Sequence, residues 1–332
     1  MTLTIKELAK ELHTSVATIS RVVNNKGNVN EKTRQEILRK LEPYDYVPNQ
    51  VARSLKGKAT KMVGIIIPDL NERFFTRVIK GIDSILSKKG YSIILADTNE
   101  DHGKEARYID LLLQQRVDAA IIATADPNGT EILQLIDHEI PVVFIDNQPN
   151  LQIQYDAVLT DNIYASKLAV NYFVGRGHKK IACITGTVSQ ASGRDRLLGY
   201  RLAMQEAELP ISESLIAVGD FREKSGFTAM EAFIQNKAAE DFTAVYIVSE
   251  RMTLGALKSL KAHDFHVPTD IEVIGFDFEY PSVLLDHNFV TIRQPEQQIG
   301  EATAELLLKR LEKSDKIVAG QHVLLTPYLE IS

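Results

Sequence analysis

The chain has 332 residues, 44% apolar and 25% charged, a globular balance too long for a single core, since cores stop growing at roughly 250–300 residues. It has no run of about 18 apolar residues and no basic leader before an apolar stretch, which predicts a cytoplasmic protein that neither spans a membrane nor is exported. Its one cysteine, Cys183, lies in the apolar run IACI and excludes an intrachain disulfide or a cysteine-built metal site. The net charge of −6 is uneven: residues 1–60 carry 11 Lys+Arg against 6 Asp+Glu, and the rest 27 against 38. A basic head suited to a polyanion therefore precedes an acidic body.

In the head, Thr4 can cap a helix whose apolar positions Ile5, Leu8, Ala9 and Leu12 recur at helical spacing, with Glu7 completing a capping box. His13-Thr14 interrupts it, and Ser15 caps a second helix that buries Ile19, Val22 and Val23. Val16, Ala17, Ser20 and Arg21 would then face outward, with the Ser15 and Thr18 hydroxyls near the helix N-terminus. Small side chains allow close approach to a DNA groove, hydroxyls and amides suit phosphates, and one Arg can read guanine. A third helix is predicted over 31–41, with Val29, Ile37, Leu38 and Leu41 closing a three-helix core and Pro43 stopping it. Spacing alone also allows a plain bundle or a protein-docking domain.

From Met62 onward, apolar runs read as buried parallel strands: MVGIII, YSIILA, AAIIAT, VVFID, DAVLTD, KIACITG, AVYIVS and IEVIGFD. They alternate with helix-length segments such as 74–88 and 165–175, the pattern of a doubly wound α/β fold. The series restarts near Asp161, which predicts two lobes. Ligands of such folds bind beyond the carboxyl ends of strands. That rule selects Asp69 and Asn71 with Phe74 and Phe75, then Asp146, Asp161 with Asn162, Ser249 with Glu250, and Asp277. Carboxylates and amides can bind sugar hydroxyls, and Phe74, Phe75 and Phe221 offer rings to an apolar sugar face. Each strand-end Asp, taken singly, can equally be a helix cap.

TIKELAKELHTSVATISRVVNN followed by YVPNQVARSLKG resembles the head of the LacI family of bacterial transcription regulators. The body resembles a periplasmic sugar-binding protein fused behind that head. LNERFF stands where the family often has NPFF, TDNIYAS resembles SDNxxA, and GHKKIACITG resembles GHRRIAFIGG. SGRDRLLGYRLAM matches a segment carrying an effector-binding Arg, and VIGFD with TIRQP matches the closing pair. The resemblance implies a small all-α helix-turn-helix domain followed by a two-lobed, doubly wound α/β domain of periplasmic-binding-protein type. It implies base reading by Val16, Ala17 and Arg21, with Ser15, Thr18, Ser20 and Asn24 on or near phosphates. Thr4 joins this DNA-facing set, and Tyr46 and Asn49 touch the DNA backbone. A hinge helix over 49–55 would form on DNA, where Leu55 from paired subunits wedges into the minor groove beside Ala52. In the body it implies Arg196, Asp277 and Gln294 as effector ligands, Phe221 as a ring wall and Asp161 as a contact.

The expected boundaries are 1–45 for the DNA-binding domain, 46–60 for hinge and linker, and 61–332 for effector binding and dimerisation. The first lobe takes 61–160 plus a late crossing segment near 291–325, and the second takes 161–290. The function implied is a homodimeric repressor of a carbohydrate-utilisation operon, bound to palindromic double-stranded DNA and switched by a sugar-like effector, with no cofactor, metal or membrane partner. One alternative is a catabolite-control regulator answering to a phosphocarrier protein; another is a sugar-binding or sugar-converting protein. No enzyme is expected, because no Walker-type loop, GxSxG, HExxH or Cys/His cluster occurs and the 8 His are scattered. The sequence departs from the family pattern in four places. His13 stands where Gly is usual; if that residue is left-handed, His tolerates it at a modest cost. Glu72 replaces Pro in the NPFF-like turn, Ser249-Glu250-Arg251 replaces an Asn or Ser followed by Asp, and Phe278 replaces a second Asp after VIGFD.

Overall fold

A computed structural model describes residues 5–23, 29–41, 59–279, 289–312 and 319–331. The chain divides into two units, Met1–Thr60 and Lys61–Ser332.

The head carries α1 (Ile5–Glu11), α2 (Val16–Val23) and α3 (Glu31–Leu41). After α1 the chain turns on His13, whose φ is 48°. The amides of His13 and Thr14 return to the carbonyls of Lys10 and Ala9, at 3.3 and 3.0 Å. This double closure satisfies the last helical carbonyls and requires a left-handed residue. Ser15 starts α2 by accepting the Thr18 amide on its hydroxyl at 3.0 Å, and Asn30 starts α3 by accepting the Lys32 amide at 2.9 Å. Ala9, Ile19, Val22, Ile37 and Leu41 form the core, with Leu12, Val16 and Val29 packed against it. Leu38, expected inside, is 48% exposed: Ile37 and Leu41 share the inward face at i, i+4 spacing, so the residue between them turns outward. Thr4, Asn24, Pro43, Tyr46, Asn49, Ala52 and Leu55 lie outside the described residues.

The body runs β1 (Met62–Ile67), α4 (Arg73–Leu86), β2 (Ser92–Asp97), α5 (His102–Gln115), β3 (Ala119–Ile122), α6 (Leu133–Asp137), β4 (Val142–Ile145) and β5 (Asp156–Thr160). It continues with α7 (Asn162–Gly175), β6 (Ile181–Thr185), α8 (Ala191–Glu206), β7 (Ile216–Val218), α9 (Glu223–Gln235), α10 (Lys237–Glu240), β8 (Ala244–Ile247), α11 (Glu250–Ala262) and β9 (Glu272–Phe276). It closes with β10 (Val290–Arg293), α12 (Glu296–Glu312), β11 (His322–Leu325) and β12 (Tyr328–Ile331). Two sheets result, ordered β11-β5-β4-β3-β1-β2 and β12-β10-β9-β8-β6-β7. Every pairing is parallel except β10 with β12. β1, β3 and β4 are apolar runs buried along nearly their whole length because helices cover both faces of the first sheet.

The late crossing segment divides differently from the expected 291–325. Strand β10 pairs parallel with β9, Val290 opposite Ile274, and so belongs to the second sheet. Only α12 and β11 enter the first lobe, and β12 then returns to the second. Reciprocal glycines seat the helix pairs. A Cβ on Gly81 would lie 2.6 Å from the Gln297 carbonyl oxygen, and one on Gly300 would strike that of Val78. The backbones of α4 and α12 therefore touch. Gly226 and Gly255 do the same for α9 and α11, meeting the carbonyls of Met252 and Glu223.

Candidate effector cleft and DNA-facing helix

The segments that follow β1, β2, β4, β6, β7, β8, β9 and β10 converge on one cleft between the lobes. Its first-lobe wall comprises Pro68, Glu72, Phe74, Phe75, Glu100, Asp146 and Asn147. The second lobe supplies Gln190, Ser192, Arg196, Phe221, Ser249, Glu250, Phe276, Asp277 and Gln294. This is where a doubly wound sheet offers loop backbone and helix N-termini to a ligand.

Arg196, on α8, is only 4% exposed. Its Nε donates to Asn162 Oδ1 at 2.8 Å, and one terminal nitrogen donates to the Val248 carbonyl at 2.7 Å. The other lies 3.9 Å from Asp146 Oδ1. The guanidinium carbon stands 3.7 Å from the centroid of the Phe276 ring, a stacking geometry that favours a planar cation. Asp277 accepts from the Gln294 amide at 2.9 Å and from its side chain at 2.6 Å. Gln294 in turn accepts the Thr160 hydroxyl at 2.5 Å, across the lobes. Three more bonds cross the cleft: the Ser192 amide donates to Asn147 Oδ1 at 3.0 Å, Gln190 Nε2 donates to Glu100 Oε2 at 2.9 Å, and Asn147 Nδ2 donates to Gln190 Oε1 at 3.4 Å. Asp146, Phe221 and Asp277 have φ values of 57°, 63° and 50°. Such left-handed residues are uncommon outside glycine, and here they stand at strand ends facing the cleft.

The carboxylates of the cleft are crowded. Burial pushes Asp277 up to about 7 despite the two bonds from Gln294, with Glu296 adding repulsion. Burial also raises Asp146, against the pull of Arg196. Glu72 is raised well above the usual carboxylate range, first by burial and then by repulsion from Asp146, Glu100 and Asp69. Glu100 and Glu250 are raised by burial too, each partly offset by its own partners. Among the described residues no group of three or more His, Cys, Asp or Glu is placed to hold a metal ion.

Phe74, Phe75, Asp146, Arg196, Phe221, Ser249, Glu250, Asp277 and Gln294 all line the cleft. Asp161 and Asn71 do not, nor do their neighbours Asn162 and Asp69. Asp161 caps α7, accepting the Tyr164 amide at 2.9 Å, so its carboxylate serves the helix that follows β5. Asn71 folds back onto Asp69, donating to its Oδ1 at 2.8 Å. Glu72, noted in the sequence as a departure in the NPFF-like turn, also lines it, and the residues that sequence reasoning missed are Pro68, Glu100, Asn147, Gln190, Ser192 and Phe276. Most follow a strand end, so the rule that found Asp146 applies to them as well. In the head, Ser15, Ala17 and Arg21 are exposed, while Val16, Thr18 and Ser20 are half-buried. Val16 packs on the head core, a correction to its outward placement, because as the first residue of α2 it lies one turn from Ile19 and Ser20. The Ser15 and Thr18 hydroxyls bond each other at 2.8 Å.

A three-helix head joined to a two-lobed body with a ligand cleft defines a ligand-responsive DNA-binding regulator. Residues 4–49 match the family described as bacterial regulatory proteins, lacI family. Residues 60–325 match that of periplasmic binding proteins and the sugar-binding domain of the LacI family. The chain belongs to the LacI family. It is 31% identical to the HTH-type transcriptional repressor PurR of Vibrio atlanticus, covering 94% of this chain and 93% of that one. It is 32% identical to catabolite control protein A of Priestia megaterium, covering 94% of each. Among solved structures, the transcriptional regulator CelR–cellobiose complex superposes with a TM-score of 0.74 at 26% identity, over 99% of this chain and 98% of that one. The Lac repressor dimer bound to operator and the anti-inducer ONPF shares the fold, with a TM-score of 0.83 at 24% identity, over 100% and 98%.

Proposed function

We propose that the protein is a homodimeric repressor whose affinity for a palindromic operator is set by a small polyhydroxylated effector held in the cleft. The observation that carries this reading is the composition of the cleft. Arg196, Asn147, Gln190 and Asp277 present amides, a guanidinium and a carboxylate between phenylalanine rings, the mixture that hydroxyl-rich molecules with apolar faces require. Both lobes supply ligand-facing groups and are bonded across the cleft, so a bound molecule must favour one angle between them. By linkage, an effector that prefers the angle of the DNA-bound state tightens operator binding, and one that prefers another angle weakens it. On the DNA side, Arg21 and Ala17 are the exposed residues of α2 suited to base edges, and Ser15 lies at the helix start where phosphate contacts are made.

The test is a fluorescence-anisotropy titration of the full-length protein with a palindromic operator, repeated with a panel of neutral sugars, amino sugars and sugar phosphates. A shift in operator affinity with one compound supports the reading, and its sign separates inducer from corepressor. Similarity to catabolite control protein A favours one second reading, control by a phosphocarrier protein. Tight operator binding that ignores every small molecule but responds to such a protein would establish that reading instead.

A further inference from the structure

The cleft has a charge imbalance that neutral sugars leave unsatisfied. Five carboxylates line it, Glu72, Glu100, Asp146, Glu250 and Asp277, against the single guanidinium of Arg196. That guanidinium is already committed to Asn162, the Val248 carbonyl and the Phe276 ring, with its remaining edge 3.9 Å from Asp146. Four of the carboxylates have partners: Gln190 for Glu100, Asn147 for Asp146, Arg73 for Glu250 and Gln294 for Asp277. The Glu72 amide donates to the Asp69 carbonyl at 3.3 Å, but its carboxylate has no hydrogen bond or ion pair with any described residue. It lines the cleft with Phe74 and Phe75, both buried residues, and Phe221 lines the facing side with Phe276, whose ring already stacks on Arg196. Carboxylates set among aromatic faces are what a substituted ammonium group recognises, by ion pairing and by attraction to the ring quadrupoles. Anionic effectors meet the opposite condition, since a phosphate would add charge to a cavity already rich in carboxylates.

Resting on the reading of this cleft as the effector site, we infer that the effector is a polyhydroxylated amine of amino-sugar type, with its ammonium group beside Glu72 and Glu100 and its hydroxyls on Asn147, Gln190 and Asp277. Burial first, and then repulsion from neighbouring carboxylates such as Asp146 and Asp69, raises Glu72 and Glu100, and an ammonium ion placed beside them favours their charged forms. Its binding therefore favours proton release from these carboxyl groups, which a neutral sugar does not do.

Calorimetric titration of the full-length protein near pH 7 with glucosamine, galactosamine and mannosamine, each paired with its parent hexose and its N-acetyl derivative, tests this. The expected result is at least ten-fold tighter binding of one amine than of both neutral counterparts, with a binding enthalpy that changes with the ionisation enthalpy of the buffer. Glu72→Gln and, separately, Glu100→Gln are expected to reduce that ratio several-fold. Neutral hexoses binding as well as their amines would overturn the inference, as would an amine preference that survives both substitutions or no binding by any amine. If an amine binds as expected but leaves operator affinity unmoved, the ligand class stands and the regulator reading fails. If a neutral sugar shifts operator affinity while the amines do not, the reverse holds.

Discussion

Arg196 gives each polar face of its guanidinium a different task. The fork fixes the register of α7 and of the strand end at Val248 and leaves one edge toward Asp146. Lysine cannot copy a planar, three-way donor stacked on a ring. Arg196→Lys is expected to weaken effector binding at least ten-fold, about 1.4 kcal/mol, as read by calorimetry, even though the charge is kept. The raised carboxyl groups carry a second prediction. An unfolded aspartate ionises near pH 4, whereas Asp277 holds its proton up to about 7. The native state therefore binds the extra proton between those values, and the stability this group gives is complete below about pH 4 and lost as the pH rises through 7. Glu72, Glu100, Asp146 and Glu250 shift in the same direction. The ligand-free protein should melt at a lower temperature at pH 8 than at pH 6, and Asp277→Asn should flatten that slope. Legibility at this scale followed the reach of one rule. Strand-end position found Asp146 and Asp277. It also admitted Asp161 and Asn71, because a carboxylate or amide after a strand can satisfy its own backbone as readily as a ligand. Phe276 was illegible because an aromatic residue ending a buried strand reads the same whether it faces core or cleft.

Helices and strands were legible in proportion to how one-sided their environment is. MVGIII, AAIIAT and VVFID stood out as strands because parallel strands covered on both faces are apolar throughout. Strand β7 is three residues long and partly exposed. The edge strands β11 and β12 alternate or mix exposure, and both lie in the strand-like stretch VLLTPYLEI. Helix α7 starts at Asn162 rather than 165, since Asp161 caps it there. The caps and crossings make two predictions. Ser15→Ala removes the hydroxyl that accepts the Thr18 amide and should cost the head about 1 kcal/mol, visible as faster hydrogen exchange of the α2 amides. Gly300→Ala drives a methyl group into the Val78 carbonyl on α4 and should destabilise the body by roughly 1–3 kcal/mol through overpacking, measured by denaturant unfolding. Gly81→Ala should behave alike, as the facing half of the same crossing.

At the scale of the whole body, the lobes are tied by charge at the rim as well as by the cleft. Arg251 on α11 pairs with Asp69, which follows β1, and Arg77 on α4 pairs with Glu279, which follows β9. These pairs are partly exposed, so each is worth little alone, but they act on the angle between lobes. Arg251→Ala is expected to weaken effector binding by less than ten-fold and to make the remaining affinity less sensitive to salt, by calorimetry at low and high ionic strength. The two-lobed plan was legible because the strand series restarts, but the path of the late segment was not. Nothing in the run TIRQP distinguishes a strand that completes one sheet from one that opens a return to the other.

That late path has a consequence for how the chain is made. Strand β11 completes one edge of the first sheet by pairing with β5, and β12 completes one edge of the second by pairing with β10. During synthesis, neither lobe can finish until residues 322–331 have left the ribosome, although the first lobe's other strands emerged far earlier. Nascent chains therefore pass through a period with two open sheet edges, the surfaces through which incomplete β-structures join one another. Chaperone demand during translation should accordingly centre on that interval, and slow codons placed just before residue 322 would lengthen it.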